Sequence, residues 1–523
     1  MSAQQSNPLF KDQVALQIEY EGLKNLVAKN EEKLAHYESE NERLLEIIRE
    51  LKRQRFGPRK ERWESEEQAC LFNEAEVESR KPEDSEESSA EVEVKGHTRK
   101  RGKRKPLPKE LPREVIVLDL PEDEKVSEDG TPLRVIGKEV SEKLFYEPAQ
   151  IKVIEYHRLR YGADSGDTGK IAAPVPSVIP KGMATPSLLS QIITSKYVDG
   201  LPLYRQEKIF DRLNIDLPRC TMARWIVQAA EACQPVWNIL EERLMVSPYV
   251  SCDETWTQVL KEKGRKAENH SWMWVRATPT AEKKIVLFDY DPYRSGAVAK
   301  RLFAEYRGAL QVDGYSAYNV LEKQEGLIRL GCNMHGRRRF HTAWKTGSKN
   351  GQSLSAEALR YYKKLYELEE KAREKRMSFP GRHELRLNEA VPIWAEFKTW
   401  ADKNCSKVPP KSKLGEAFHY FLGEYDYLIR YLQDGSFEMD NGFVERAIKY
   451  FAIGRNNWLF SDTEDGAHAS SLLYSLAVTA HLNETNPYTA FNVLLTELPK
   501  AKILEDYERL ADFILSGTLI SEK

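Results

Sequence analysis

Apolar positions along the chain change period several times. Between residues 14 and 55, Leu16, Leu23, Asn30, Tyr37, Leu44 and Leu51 recur every seven residues, interleaved with Tyr20, Val27, Leu34, Asn41 and Ile48. This alternating spacing of four and three makes a narrow seam and predicts a coiled coil over 14–55, whose seam a partner helix must cover. Asn30 and Asn41 in the seam favour one register and a low oligomer order, at a cost in stability. A long amphipathic helix packed on its own body is the alternative. Gly57 and Pro58 break the heptads. Over 113–175 the segments VIVLDL, LRVIG and KLFYEPAQIKVIEYHRLRYG are rich in β-branched and aromatic residues. They predict a small antiparallel β domain at 111–180. Helical spacing returns at 181–247, where LYRQEKIFDRLN, a short turn and a long segment opening at Thr221 read as a helix-turn-helix-like region.

From 248 strands and helices alternate. Strands are predicted at 249–259, 270–277, 284–290, 309–313 and 327–332, with a helix at 295–306 before the fourth. Three strands followed by helix–strand–helix–strand is the layout of an RNase H-like α/β core, first part 248–345. Residues 346–435 read as a helical insertion, 436–495 as the second part of the core, and 496–523 as a helical tail. The whole is a multidomain α+β chain.

Charge changes the picture at the N-terminal side. The 523 residues carry a net charge of −2, yet residues 64–94 hold twelve Asp/Glu against two Lys/Arg. Residues 95–105 (KGHTRKRGKRK) then hold seven Lys/Arg, including Arg99, Arg101, Lys103 and Arg104. With few apolar residues, 56–110 reads as a disordered acidic-then-basic linker. The basic block suits a polyanion, though a solvated linker has the same composition. No run of 18 apolar residues is present and no secretory signal is visible, so a cytoplasmic setting is expected. The six cysteines form no Cys-x-x-Cys pair, which argues against a disulfide framework or a cysteine zinc knuckle.

Three acids stand out. Asp253 falls inside the apolar strand PYVSCDETWTQV, Asp313 ends the strand ALQVD, and Glu445 lies on the helix NGFVERAIK. An unpaired carboxylate in a buried strand is costly and calls for a reason. Acids on the first strand, at the end of the fourth and on a late helix can converge beside an open sheet, where their oxygens suit two Mg²⁺ or Mn²⁺ ions. Glu254 points to the other face of a regular strand and is the weaker ligand. Arg337, Arg338 and Arg339 follow Cys332-x-x-His335 on a helix and read as phosphate contacts or a solvated face. Lys449 could face a DNA backbone or pair with Glu445. Arg455 and Trp458 lie just past that helix, and Trp458 reads either as a stacking platform for a displaced base or as core packing.

The stretches CDETW (252–256), QVDGYSAYN (311–319), CNMHGRRRF (332–340), DNGFVERAIK (440–449) and GRNNWLFSD (454–462) resemble the transposases of the insertion sequence 66 family, as do KYVDGLPLYRQEKIF (196–210) and LKRQRFG (51–57). The resemblance implies a DDE-type transposase with an RNase H-like domain and carboxylates at Asp253, Asp313 and Glu445. It implies metal-dependent cleavage and strand transfer at element ends, DNA as partner, small accessory proteins from the same element, and a bacterial cytoplasmic, nucleoid-associated setting without membrane contact, while the coiled coil predicts at least a dimer. A non-catalytic DNA-binding repressor and a plain metal-dependent nuclease are the alternatives. The family's cysteine-paired zinc module has no cysteines here at 121–137 or 160–170, so no structural zinc is expected.

Deleting residues 1–52 is expected to lower the oligomeric mass seen by sedimentation, because it removes the apolar seam that a second chain covers. A truncated chain that sediments in the same state as the full chain would argue for the self-packed helix.

Overall fold

The computed structural model describes residues 151–161, 170–346 and 353–518, with isolated positions between Glu21 and Leu44. Those isolated positions are helical, and Tyr37 and Leu44 of the expected seam are 65% and 47% exposed. Pairing of the coiled coil, the 64–94 tract and the basic block with Arg99, Arg101, Lys103 and Arg104 lie outside the described residues. So does most of the expected small β domain. Within the unit Pro58–Pro174, β1 (Arg160–Tyr161) pairs antiparallel with β2 (Lys170–Ile171), and Arg158 Nε donates to the Ala172 carbonyl at 2.7 Å.

The second unit is built on a mixed six-stranded sheet of β3 (Tyr249–Lys261), β4 (His270–Ala277), β5 (Val286–Asp291), β6 (Gly308–Gln311), β7 (Leu327–Leu330) and β8 (Ser461–Thr463). The order is β5-β4-β3-β6-β7, with β8 pairing β3 beyond β6. β3 to β5 form an antiparallel meander, whereas β6, β7 and β8 join parallel to their neighbours. The five strands read from the sequence are all present. β6 is shorter than expected and ends at Gln311, so Asp313 stands two residues past the ladder. β8 was not expected: its three residues follow Leu459, whose φ of 69° turns the chain sharply back onto β3.

Helices cover both faces of the sheet. Before it come α1 (Pro186–Tyr197), α2 (Leu203–Arg212) and α3 (Arg219–Met245). The α2–turn–α3 arrangement matches the expected hairpin. However, α3 buries Met222, Trp225, Ile226, Ala229, Cys233, Val236, Leu240 and Leu244 along its length, so only the outer face of its first turns, with Arg219 and Arg224, is open to solvent. Helix α4 (Gly296–Leu302) precedes β6, and α5 (Asn333–Thr346) follows β7. After α10 (Gly442–Trp458) runs α11 (Glu464–Leu482), apolar on nearly every side and buried accordingly. Its Ser475 and Thr479 hydroxyls accept the Phe288 and Val286 N–H groups, covering the free edge of β5. Helices α12 (Pro487–Glu497) and α13 (Leu504–Ser516) close the chain.

Between α5 and α10 the predicted insertion forms α6 (Leu354–Glu374), α7 (Phe379–Leu385), α8 (Val391–Cys405) and α9 (Lys413–Leu428). It has its own aromatic core, in which Phe397 and Phe421 lie 4.2 Å apart by ring centroids and Phe340 of α5 joins. Buried Glu369 binds Arg386 at 2.8 Å and Arg382 at 2.7 Å, and Arg382 reaches Glu438 at 2.9 Å, just before α10. The two guanidinium groups outweigh burial and hold the Glu369 carboxyl below its usual range.

Glu369→Gln leaves two buried cations short of their anion and is expected to cost about 3–5 kcal/mol. Denaturant unfolding checks this. Since the Glu369 carboxyl is depressed, its contribution is present at neutral pH and is lost as pH falls through its folded value, so wild type and variant should converge in acid. Parallel curves at every pH would show that the charge is not the source of the stability.

Candidate active site

Alternation along β3 sends Asp253 and Glu254 to opposite faces. Glu254 turns into the protein, where Arg294 binds it at 2.6 Å and the Tyr318 hydroxyl donates to it. Asp253 turns to the face that carries α10. β3 and β6 run parallel with Ser251 opposite Gln311, so continuing that register by two residues brings Asp253 beside Asp313. Neighbouring strands lie about 4.8 Å apart. The Asp253 carboxylate accepts the Glu254 N–H at 2.8 Å, and that of Asp313 accepts the Tyr315 N–H at 3.0 Å.

Glu445 is brought to the same place by one buried residue, Asn441. Its side-chain amide donates to the Cys252 carbonyl at 2.9 Å, immediately before Asp253, and its backbone N–H donates to Cys332 Sγ at 3.3 Å. Its own carbonyl accepts the Glu445 N–H at 3.1 Å and so starts α10. Residue 441 therefore ties the first strand, the end of β7 and the helix of the third acid together. Gly314, next to Asp313, lets the insertion approach: a Cβ there would sit 2.5 Å from the Tyr420 ring.

The electrostatics register the convergence. Burial pushes the Asp253 carboxyl well above its ordinary range, and the negative charges of Glu254, Asp313 and Glu445 add to it. Burial also raises Glu445, against the opposing charge of Arg338. Arg338 donates to Glu445 Oε2 at 3.1 Å, while Oε1 is buried without a hydrogen-bond partner. His335 Nδ1 is likewise unpartnered, 3.8 Å from Glu445 Oε1, and burial lowers its imidazole to about 4. Cys332 Sγ, a His335 ring nitrogen and a Glu445 oxygen lie within 4.8 Å of one another. Asp440 adds a fourth carboxylate, held by the Tyr366 hydroxyl at 2.8 Å. A concentration of like charge with an orphaned carboxylate oxygen fits a divalent cation of the hard, oxygen-binding kind.

Residues 181–469, more than half of the chain, match the family described as "Transposase IS66 family". The chain belongs to the IS66 transposase family. Residues 43–116 match a second description, "Transposase C of IS166 homeodomain", which runs from the end of the expected coiled coil through the basic block. Three uncharacterised proteins of Sinorhizobium fredii are similar. One, y4qI, is 31% identical over 504 residues, covering 90% of this chain and 89% of its own. Another, y4jD, is 31% identical over 394 residues, 73% of this chain and 76% of its own. The third, y4hP, is 26% identical over 434 residues, 80% and 78% respectively.

Of the other expected IS66 site residues, Arg337, Arg338 and Arg339 are exposed on α5. The charge of Lys449 acts on Glu445 from one turn away. The remaining two pack against the protein. Arg455 is turned inward, donating to Thr255 Oγ1 at 2.9 Å and to the Trp256 carbonyl and lying 4.1 Å over the Trp256 ring, so it braces β3 rather than facing a phosphate. Trp458 packs on the core beneath Lys196, whose Nζ is 3.5 Å from its ring, and is no open platform for a base. Sequence reasoning missed Asn441 and Asp440, although both stand in the DNG stretch that precedes α10. Among the described residues no helix is long and apolar enough to cross a membrane.

Removing the Asp253 charge relieves this repulsion. In chelator at neutral pH, Asp253→Asn should melt above wild type by about 2–4 °C for each kcal/mol relieved. The raised carboxyl destabilises the fold as pH rises through its folded value, so the gap should close toward acid. Added Mg²⁺ should raise the melting temperature of wild type alone. A variant that melts lower than wild type at every pH would make Asp253 a structural residue.

Proposed function

We propose that this transposase cuts and joins DNA at its element's ends by phosphoryl transfer, with Asp253, Asp313 and Glu445 as the DDE carboxylates of an RNase H-like domain. The observation that carries the reading is the half-buried Asp253 carboxyl lying within the field of Asp313 and Glu445. The sheet order, with the second strand antiparallel and the fourth and fifth parallel to the first, is consistent with an RNase H-like layout.

In this reading Asp253, Asp313 and Glu445 would together hold the metal. Mg²⁺ or Mn²⁺ ions held there would activate the attacking water or 3′-hydroxyl and stabilise the leaving 3′-oxygen. The residues themselves orient the groups: Asn441 fixes Glu445 against β3, and Arg294 with Tyr318 keeps Glu254 out of the site. Recognition of the DNA ends falls to elements away from the acids: the exposed face at the start of α3, the segment 43–116 with its basic block, and a dimer formed through residues 14–55.

The test is a cleavage and strand-transfer assay on a duplex carrying the element end, with a pre-cleaved end run in parallel. Wild type should nick the end and join the pre-cleaved 3′-hydroxyl to a target. Asp253→Asn, Asp313→Asn and Glu445→Gln should each lower both rates roughly 10³-fold or more, about 4 kcal/mol of barrier, while DNA binding persists. Cleavage without joining would identify a nuclease, and binding without either would identify a DNA-binding protein derived from a transposase.

A further inference from the structure

Beside Glu445 a cleft of about 240 Å³ is lined by His335, Arg338, Arg339, Thr342, Lys413 and Glu416. Its walls come from two parts of the fold. The first four residues lie on α5, which continues from the sheet, and the last two on α9 of the helical insertion. Three of the six carry fixed positive charge. Lys413 pairs with Glu416 at 2.9 Å and Arg338 with Glu445 at 3.1 Å. Arg339 has no carboxylate within ion-pair distance among the described residues; its guanidinium lies 4.3 Å over the Tyr420 ring. Tyr420 in turn rests against Gly314, the neighbour of Asp313. The unbalanced cation is therefore held in place relative to the acids.

We propose that this cleft binds a DNA phosphate next to the carboxylates, that Lys413 gives the insertion a direct part in gripping DNA, and that Arg338 alternates between Glu445 and that phosphate. The proposal rests on the DDE reading of Glu445. With the site free of cations, Arg338 neutralises Glu445 Oε2. When the Glu445 oxygens turn to a divalent cation, that charge is satisfied and the guanidinium is released to the cleft, where a phosphate accepts its N–H donors. Metal and DNA then favour each other's binding, and the linkage is reciprocal.

The experiment uses the full chain, a fluorescent 30-base-pair duplex, and Ca²⁺ or chelator, with binding followed by anisotropy across a salt series. Wild type should bind the duplex several-fold more tightly with Ca²⁺ than in chelator. Lys413→Ala and Arg339→Ala should each weaken binding and reduce the log–log salt slope by about 0.9, one phosphate contact. Lys363→Ala, on the outer face of α6 in a surface pair with Glu367, is the control and should change neither. Arg338→Ala should bind Ca²⁺ more tightly by calorimetry without DNA, having lost its internal competitor, and should lose the Ca²⁺ enhancement of DNA binding. Arg338→Lys should restore part of that enhancement, which an unfolded or merely loosened site would not. Salt slopes for Lys413→Ala and Arg339→Ala equal to the control would overturn the phosphate cleft. An unchanged Ca²⁺ enhancement in Arg338→Ala would overturn the exchange. These outcomes are read from binding alone, so they stay separate from the catalytic reading, which fails instead if Asp253→Asn still cuts DNA.

Discussion

One buried amide holds this architecture to its chemistry. Asn441 spends its side-chain donor on the carbonyl before Asp253, its backbone N–H on Cys332, and its carbonyl on the N–H of Glu445. Other buried amides join the same seam. Gln311 donates to the carbonyls of Gly331 and Glu438, and Asn333 to those of Leu428 and Met439. All three stitch the chain, as it returns from the insertion, to β3, β6 and the start of α5, each more than a hundred residues earlier. A buried amide left without partners costs more than its bonds contribute, so such a seam has one acceptable register.

That rigidity is what permits like charges to be stacked. Asp253, Asp313, Glu445 and Asp440 repel one another, and a looser scaffold would let them splay apart. Here the β-ladder holds the first acid, the turn after β6 holds the second, and α10 holds the third. Arg338 offsets part of the repulsion from the solvent side. Glu254, adjacent in sequence to Asp253, is neutralised separately by Arg294 on the other face. The sheet thus separates the Arg294-paired carboxylate from the one proposed to react by the alternation of a single strand.

The insertion is more than a spacer. Its aromatic core shares Phe340 with α5, its Arg382 reaches Glu438, and its Tyr420 lies against Gly314. Each contact falls within a few residues of an acid or of the seam. A helical block with its own core is thus tied at these points to the elements that carry the acids.

Much of this was legible in the sequence because it rests on local periodicity. The five strands, the helical block and the hairpin before the sheet follow from the spacing of apolar residues, and Asp253 stood out as a carboxylate in an apolar strand. Three-dimensional placement decided the rest. Arg455 and Trp458 read as lying just past the helix of Glu445, yet α10 runs on through Trp458, and its packing sets one to brace β3 and the other under Lys196. Arg338 read as a phosphate contact, and only the packing of α5 against α10 showed that it first serves Glu445. Asn441 gave no signal of its own, since an Asn before a helix is an ordinary cap until its partners are known. Periodicity determines which residues share a face, because that is a property of the local backbone. Which faces meet depends on contacts between residues far apart in the chain, and those exist only once the fold has formed.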